Sequence, residues 1–329
     1  MKKFLSILLV IAMCISSIAI LASCGDPKDP AESPNTPDNN NPDDHKHTFV
    51  DGKCECGETD PEYVPPHEHN FVDGKCECGE SDPNYTPVYK EGMMVYTQDF
   101  TTDDTVTAES ILAGFVQTGN AEVAITDGRL TYKNVDKSTS LLLVAKEYMA
   151  VAATNGAYTV QFDMEKLDDK GGYTIFAPKF TDAANSIGAA PNNKRFYMYS
   201  GSGKNDLATN VVMITTLDPS AADGRWLDKI VTVRIVVKPQ LTPDSTDWGM
   251  EVYVKFAEEG EEAFKLALTL KQDKAADFNT LDDAIAIVST TADTYMAYDN
   301  IAIWTGTGNM PENTSTEAYE ALVAATPAA

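Results

Sequence analysis

From about residue 93 to residue 307 the chain is written in short runs with a period of two. Tyr158, Val160, Phe162 and Met164 alternate with Thr159, Gln161 and Asp163, and Val231, Val233, Ile235 and Val237 are spaced the same way. So are Val252, Val254 and Phe256, and then Phe264, Leu266 and Leu268. Successive side chains of a strand point to opposite faces, so this spacing marks segments with one buried face, whereas a helix needs apolar residues three and four apart. Further runs at 94–98, 122–126, 129–133, 140–145, 172–178, 195–200, 209–215, 283–288 and 295–304 are punctuated by Gly-Gly, Asp-Gly, Pro-Asn-Asn and Ser-Gly-Ser-Gly. Roughly a dozen strands with few helical patterns predict an all-β domain, an antiparallel jelly-roll sandwich over 93–307. Within the tail, 308–329, the stretch NTSTEAYEALVAA at 313–325 predicts a short helix capped by Asn313 or Ser315, with Glu317 in its first turn.

The chain has four histidines and six cysteines, and their placement is lopsided. Every histidine and four of the cysteines fall in two segments, 45–63 and 67–85, which match at an offset of 22 residues, His45 to His67. Each reads H-x-H-x6-C-x-C-G: His45, His47, Cys54 and Cys56 in the first, His67, His69, Cys76 and Cys78 in the second. The sizeable apolar pairs inside them are Phe49-Val50 and Phe71-Val72, too little to fold about twenty residues without a metal or a disulfide. Two imidazoles and two thiolates form a tetrahedral zinc set, and zinc binding would supply the folding free energy. An Asp-Gly turn brings the H-x-H arm back against the C-x-C arm, and the glycine after the second cysteine suits a knuckle with positive φ. A disulfide within C-x-C would be a small strained ring; a bridge between the two segments is easier and stands as the alternative. The segments resemble short zinc-ribbon-like repeats of secreted bacterial proteins, with one residue fewer than the commoner C-x-x-C knuckle. Four protein ligands leave no open position for water, so the expected metal role is structural.

Ahead of the repeats, Met1-Lys2-Lys3 opens an apolar run from Phe4 to Ala22 that ends in Leu21-Ala22-Ser23-Cys24. A basic start, an apolar middle and a small-residue end make a secretory signal over 1–23. The Leu-Ala-Ser-Cys run resembles the lipobox of bacterial lipoproteins, which implies lipidation of Cys24 and a membrane anchor. Acyl chains bury methylenes at about 0.8 kcal/mol each, so several chains on one cysteine hold firmly. Residues 24–44 follow as a stalk; 26–44 contain five prolines and almost nothing apolar, a composition that stays extended. The expected location is the outer face of the cell membrane.

The formal charge is −25, and removing Lys2 and Lys3 with the signal takes it to −27. Such a chain repels phosphate backbones, which argues against nucleic acid as a partner. With no histidine or cysteine in 93–307, histidine triads and thiol chemistry are excluded there.

Asp99-Phe100, Gly224-Arg225-Trp226 and the closing run Tyr298-Asp299-Asn300-Ile301-Ala302-Ile303-Trp304-Thr305-Gly306 are similar to those of concanavalin A-like, laminin-G-type jelly rolls. The resemblance implies a sandwich whose relatives bind carbohydrate, bind proteins or hydrolyse glycans. Sugar binding needs aromatic faces beside polar groups. In Arg195-Phe196-Tyr197-Met198-Tyr199 the tyrosines share a face opposite Phe196 and Met198, so Tyr197 and Tyr199 are candidates, with Trp248 after the 243–247 loop. Trp226 and Trp304 are expected to be structural. Glycosidases of this fold place carboxylates two apart on one strand; Gln161-Phe162-Asp163-Met164-Glu165 has the spacing but a glutamine at its first position. Asp99 and Asp299 are candidates for a calcium ion if the terminal strands pair. The expected function is a lipid-anchored glycan-binding protein; a glycoside hydrolase and a structural or adhesive protein with a protein partner are the alternatives.

Overall fold

The computed structural model describes residues 48–62 and 69–326, apart from 73, 137–138, 171, 192–193, 201–207, 210–216, 218–225, 227–228, 243, 271–282 and 290–293. The signal segment, Cys24, the stalk, His45, His47 and His67 lie outside the described residues, as does the run 210–215. The chain divides into two compact units, Met1–Glu68 and His69–Ala329. In the first unit the short strands β1 (Phe49–Val50) and β2 (Lys53–Cys54) pair as a hairpin, Phe49 opposite Cys54. Its turn is Asp51-Gly52, both at positive φ.

The second unit holds an antiparallel β-sandwich. Its smaller sheet runs in the order β11 (Phe196–Ser200), β10 (Ser186–Pro191), β9 (Thr174–Phe180), β16 (Ala284–Ser289), β7 (Ser140–Val144) and β4 (Val116–Thr118). The larger runs β12 (Ala208–Thr209), β15 (Lys265–Leu270), β14 (Gly249–Phe256), β13 (Ile230–Lys238), β8 (Tyr158–Lys166), β17 (Tyr295–Thr305), β6 (Arg129–Asn134) and β5 (Ala121–Thr126). A further strand, β3 (Met94–Gln98), also pairs with β17. The period-two residues form the space between the sheets: Val160, Phe162, Val233, Ile235, Val252 and Ile303 are buried, and Phe162 stacks on Phe176 of the facing sheet at 3.8 Å between centroids. Each such side chain withdraws apolar surface from water at about 25 cal/mol per Å², the main favourable contribution to the fold.

β17 organises the larger sheet. One edge pairs with β8 throughout, whereas the other pairs first with β6, from Tyr295 to Tyr298, and then with β3, from Ile301 to Trp304. The switch falls at a bulge between Asp299 and Ala302, where Asn300 takes φ 48°. Bulges redirect a strand in this way, and asparagine tolerates the left-handed region better than most residues.

Several elements depart from the sequence reading. Helices α1 (Ala108–Ala113) and α2 (Lys146–Asn155) and strands β4 and β10 were not anticipated. α2 contributes Met149, Val151 and Ala152 to the core, so its apolar run reads as one block with little polar face. β9, β10 and β16 are buried on both faces. Their outward residues, among them Ile175, Ala177, Ala190, Ala286 and Val288, make a second apolar cluster that alternation does not mark. β10 carries Gly188 at an irregularity in its pairing with β9, where a Cβ would lie 2.0 Å from the Phe176 carbonyl oxygen, so only glycine allows the approach.

The terminal helix α3 spans Glu317–Ala325, and its N-cap residue is Thr316 rather than Asn313 or Ser315. Ser315 Oγ nevertheless accepts the Glu317 N–H at 3.3 Å. The helix docks through Tyr319, whose hydroxyl donates to the Tyr148 carbonyl at 2.7 Å and accepts the Ala152 N–H at 3.2 Å. Among the described residues no helix is long and apolar enough to cross a membrane.

Candidate functional site

The two repeats fold their C-x-C segments alike. In the first, Cys54 N–H donates to the Glu58 carbonyl at 2.8 Å, Gly57 N–H to the Cys54 carbonyl at 2.9 Å, and Asp60 N–H to the Gly52 carbonyl at 3.0 Å. In the second, Cys76 bonds Glu80, Gly79 bonds Cys76 and Asp82 bonds Gly74, each at 2.8 Å. Gly57 and Gly79 take φ of 94° and 91°, a conformation that a Cβ would strain. Asp60 and Asp82 each accept a backbone N–H two residues on, closing the segment with an Asx turn. All four cysteines are outside disulfides.

In the second repeat these turns assemble a ligand set. One ligand atom each from His69, Cys76 and Cys78 lies within 4.8 Å of the others, the single such grouping of three or more His, Cys, Asp or Glu among the described residues. Cys78 Sγ lies 3.5 Å from His69 Nδ1. The other ring nitrogen, Nε2, is 2.8 Å from Glu80 Oε2. Phe71 stacks on the imidazole at 5.4 Å between centroids and 15° between planes, which fixes the ring orientation. Cys76 is buried and Cys78 exposed. The Cys78 thiol sits above its ordinary value: a hydrogen bond from the Glu80 backbone pulls it down, but the side-chain bond with Cys76, some desolvation and the Cys76 and Glu80 charges outweigh that. Cys56 is raised in the same way through Glu58 and Cys54.

The donor chemistry fits a borderline-soft divalent ion. Tetrahedral zinc with Zn–N of about 2.0–2.1 Å and Zn–S of about 2.3 Å holds nitrogen and sulfur about 3.6 Å apart, close to the 3.5 Å between His69 and Cys78. Hard cations such as calcium prefer oxygen, so they do not suit this set.

The sandwich places the other candidates separately. Phe196 and Met198 point into the core, and Tyr197 lies on the outer face of the smaller sheet, half-buried, with its ring 5.5 Å from Tyr173 at 74°. The Tyr199 side chain lies outside the described residues. Trp248 was a candidate for an exposed aromatic; it is 8 % exposed and joins the main core, because it leads into β14 with its ring turned between the sheets. It borders a small cavity of 130 Å³ together with Val236, Lys238, Asp247 and Thr269. Trp226 and Trp304 are buried; Trp226 packs edge-on to Phe196, and the Trp304 N–H donates to the Gly308 carbonyl.

Asp99 and Asp299 are neighbours across the β3–β17 junction. Burial pushes the Asp299 carboxyl up, the Asn300 N–H pulls it down, Asp163 and Asp99 raise it further, and Arg129 lowers it. Each accepts a local backbone N–H, Asp99 from Thr101 and Asp299 from Asn300, and they are not part of a converging group of three ligands among the described residues. The carboxylate row on β8 is engaged in hydrogen bonds: Gln161 accepts from Arg234, Asp163 from Thr232 at 2.6 Å and Asn300 at 2.9 Å, and Glu165 pairs with Arg129.

Three residues beside the candidate sites escaped the sequence reading: Glu80, Tyr173 and Tyr295. Glu80 was findable, since Glu58 occupies the same place after C-x-C-G in the first repeat. Tyr295 lines an open cavity of 510 Å³ with Glu122, Ala124, Thr126, Thr131 and Lys133 on the outer face of β5 and β6; no spacing in the sequence joins it to those residues.

A scan against protein-family models finds no match, and a search of curated proteins finds none. Among solved structures the chain is similar to a protein of unknown function with a galectin-like fold from Bacillus subtilis, at 11% identity over 66% of this chain and 98% of that one, with a TM-score of 0.41. It is similar to a carbohydrate esterase from the Shiga toxin-encoding bacteriophage phi24B, at 12% identity, 65% and 99% coverage and a TM-score of 0.39. Peanut lectin, solved with a nine-residue peptide, follows at 10% identity, 64% and 98% coverage and a TM-score of 0.35.

Proposed function

We propose that this chain is a lipid-anchored extracellular binding protein: Cys24 carries the anchor, the stalk and two zinc-set knuckles raise the β-sandwich, and the sandwich binds a glycan. The observation that carries the ligand assignment is the Tyr173–Tyr197 pair on the outer face of the smaller sheet. Two aromatic rings held edge to face offer one face to a pyranose and fix its orientation with little entropy to lose. Phe196 and Met198, buried on the opposite face, keep Tyr197 turned outward.

Zinc is the ion proposed for each knuckle, held by His45, His47, Cys54 and Cys56 in the first and by His67, His69, Cys76 and Cys78 in the second. The convergence of His69, Cys76 and Cys78 supports this assignment. When bound, the ion supplies cross-linking that twenty residues with little apolar area lack.

A glycan array probed with residues 25–329 tests the ligand class. Binding to a polysaccharide that Tyr197→Ala weakens by roughly 0.5–1.5 kcal/mol, about two- to tenfold, is the expected result. No binding to any glycan, or binding indifferent to Tyr197→Ala and Tyr173→Ala alike, overturns it.

A further inference from the structure

We propose that the second repeat takes its ion through Nδ1 of His69, and that Glu80 is the positioning residue that makes this possible by holding the proton on Nε2. The proposal rests on the zinc reading above and specifies which atom of the imidazole carries it.

A neutral imidazole has one protonated nitrogen and one lone pair, and the partner of one nitrogen decides the role of the other. Nε2 of His69 lies 2.8 Å from Glu80 Oε2. An ionised carboxylate only accepts, so Nε2 must be the N–H and Nδ1 must carry the lone pair. Nδ1 is also the nitrogen facing Cys78 Sγ, at the separation a shared tetrahedral zinc requires. Glu80 meets the imidazole at the nitrogen remote from the thiols, so it is not itself a ligand to the same ion. A carboxylate bonded to a metal-binding histidine fixes the tautomer and raises the basicity of the ligand nitrogen.

The backbone explains why Glu80 is available for this. The Cys76 N–H bonds the Glu80 carbonyl, so the residue that closes the knuckle returns to the start of the C-x-C segment. Its side chain then reaches His69, whose ring is held in plane by Phe71. The first repeat has the same closing bond from Cys54 to Glu58, and the same Glu after C-x-C-G. The repeated segment thus encodes two thiols and a carboxylate at one offset.

The test uses residues 25–329 with Cys54→Ser and Cys56→Ser, so that only the second repeat is read. Long-range 1H–15N spectra of the zinc-loaded protein are expected to show the His69 ring protonated at Nε2 and metal-bound at Nδ1. Zinc competition against a chromophoric chelator is expected to show a loss of roughly 10–100-fold for Glu80→Ala. Glu80→Gln, whose amide oxygen still accepts from Nε2, is expected to retain most of the affinity and the same tautomer. Cobalt loading is expected to give the same visible bands in all three proteins, because the ligands are unchanged. Zinc bound through Nε2, or Glu80→Ala binding as tightly as its parent, overturns the inference while leaving the zinc reading intact. Failure of the parent to take up zinc overturns both.

Discussion

Val72 in the second knuckle is 67 % exposed, whereas Val160, Val233 and Val252 in the sandwich are fully buried, although residues 69–85 and the sandwich belong to the same compact unit. The sandwich is held by what its elements remove from water: Phe162 against Phe176, Tyr298 beside both, and Met149 and Ala152 of helix α2 added to the same core. The knuckle buries one cysteine and relies on short backbone bonds, the Asp82 turn and a cluster of soft ligands. The contrast teaches that one chain uses two sources of order. Where apolar area is plentiful, alternation suffices; where it is scarce, side-chain chemistry at fixed offsets replaces it.

The contrast is broken most strongly by removing the knuckle's ligands. Chelation of zinc-loaded protein, or Cys76→Ser with Cys78→Ser, is expected to abolish amide-exchange protection across 69–85 while β8, β13 and β17 keep theirs. Structural zinc in isolated fingers contributes on the order of 10–16 kcal/mol, so the local effect is all or nothing. Loss of protection in β8 at the same time would show that the two regions do not have separate sources of order.

A cut in the core should give the reverse result. Phe162→Ala is expected to lower the unfolding free energy by about 3–5 kcal/mol in urea titrations, with zinc stoichiometry unchanged. The smallest effect is expected at the junction, where Lys75 pairs with Glu317 of α3 at 2.6 Å, both exposed. Water screens such a pair, so Lys75→Ala should leave the sandwich melting temperature within error and slightly loosen exchange at 74–76. A large drop would reveal that the knuckle braces the sandwich.

Much of the sandwich was legible because half-buried strands announce themselves: the runs at 94–98, 129–133, 158–164 and 295–304 all lie in strands. What escaped has a common cause. β10, Ser-Ile-Gly-Ala-Ala-Pro, is buried on both faces and carries a glycine and a proline, so neither alternation nor propensity marks it. α2 is read through a similar blind spot: Tyr148 to Ala153 is an unbroken apolar block, with the exposed polar residues Lys146, Glu147 and Thr154 only at its ends. In the repeats the ligand types and the Asp-Gly turn could be read from spacing, but the partner of each histidine nitrogen could not, since Glu80 reaches His69 only through the fold. Trp248 shows the opposite failure: a loop before it suggested exposure, and the strand it introduces turned it inward.

The position of β17 has a consequence for how the domain comes into being. It lies between β8 on one edge and β6 and then β3 on the other, and β3 is some two hundred residues earlier in the chain, Ile301 opposite Gln98. The larger sheet therefore stays split until the last strand has been synthesised. Such high contact order makes closure slow and late. The same arrangement brings the two ends of the domain side by side, with Met94 opposite Trp304, so the β3–β17 seam closes the domain on itself.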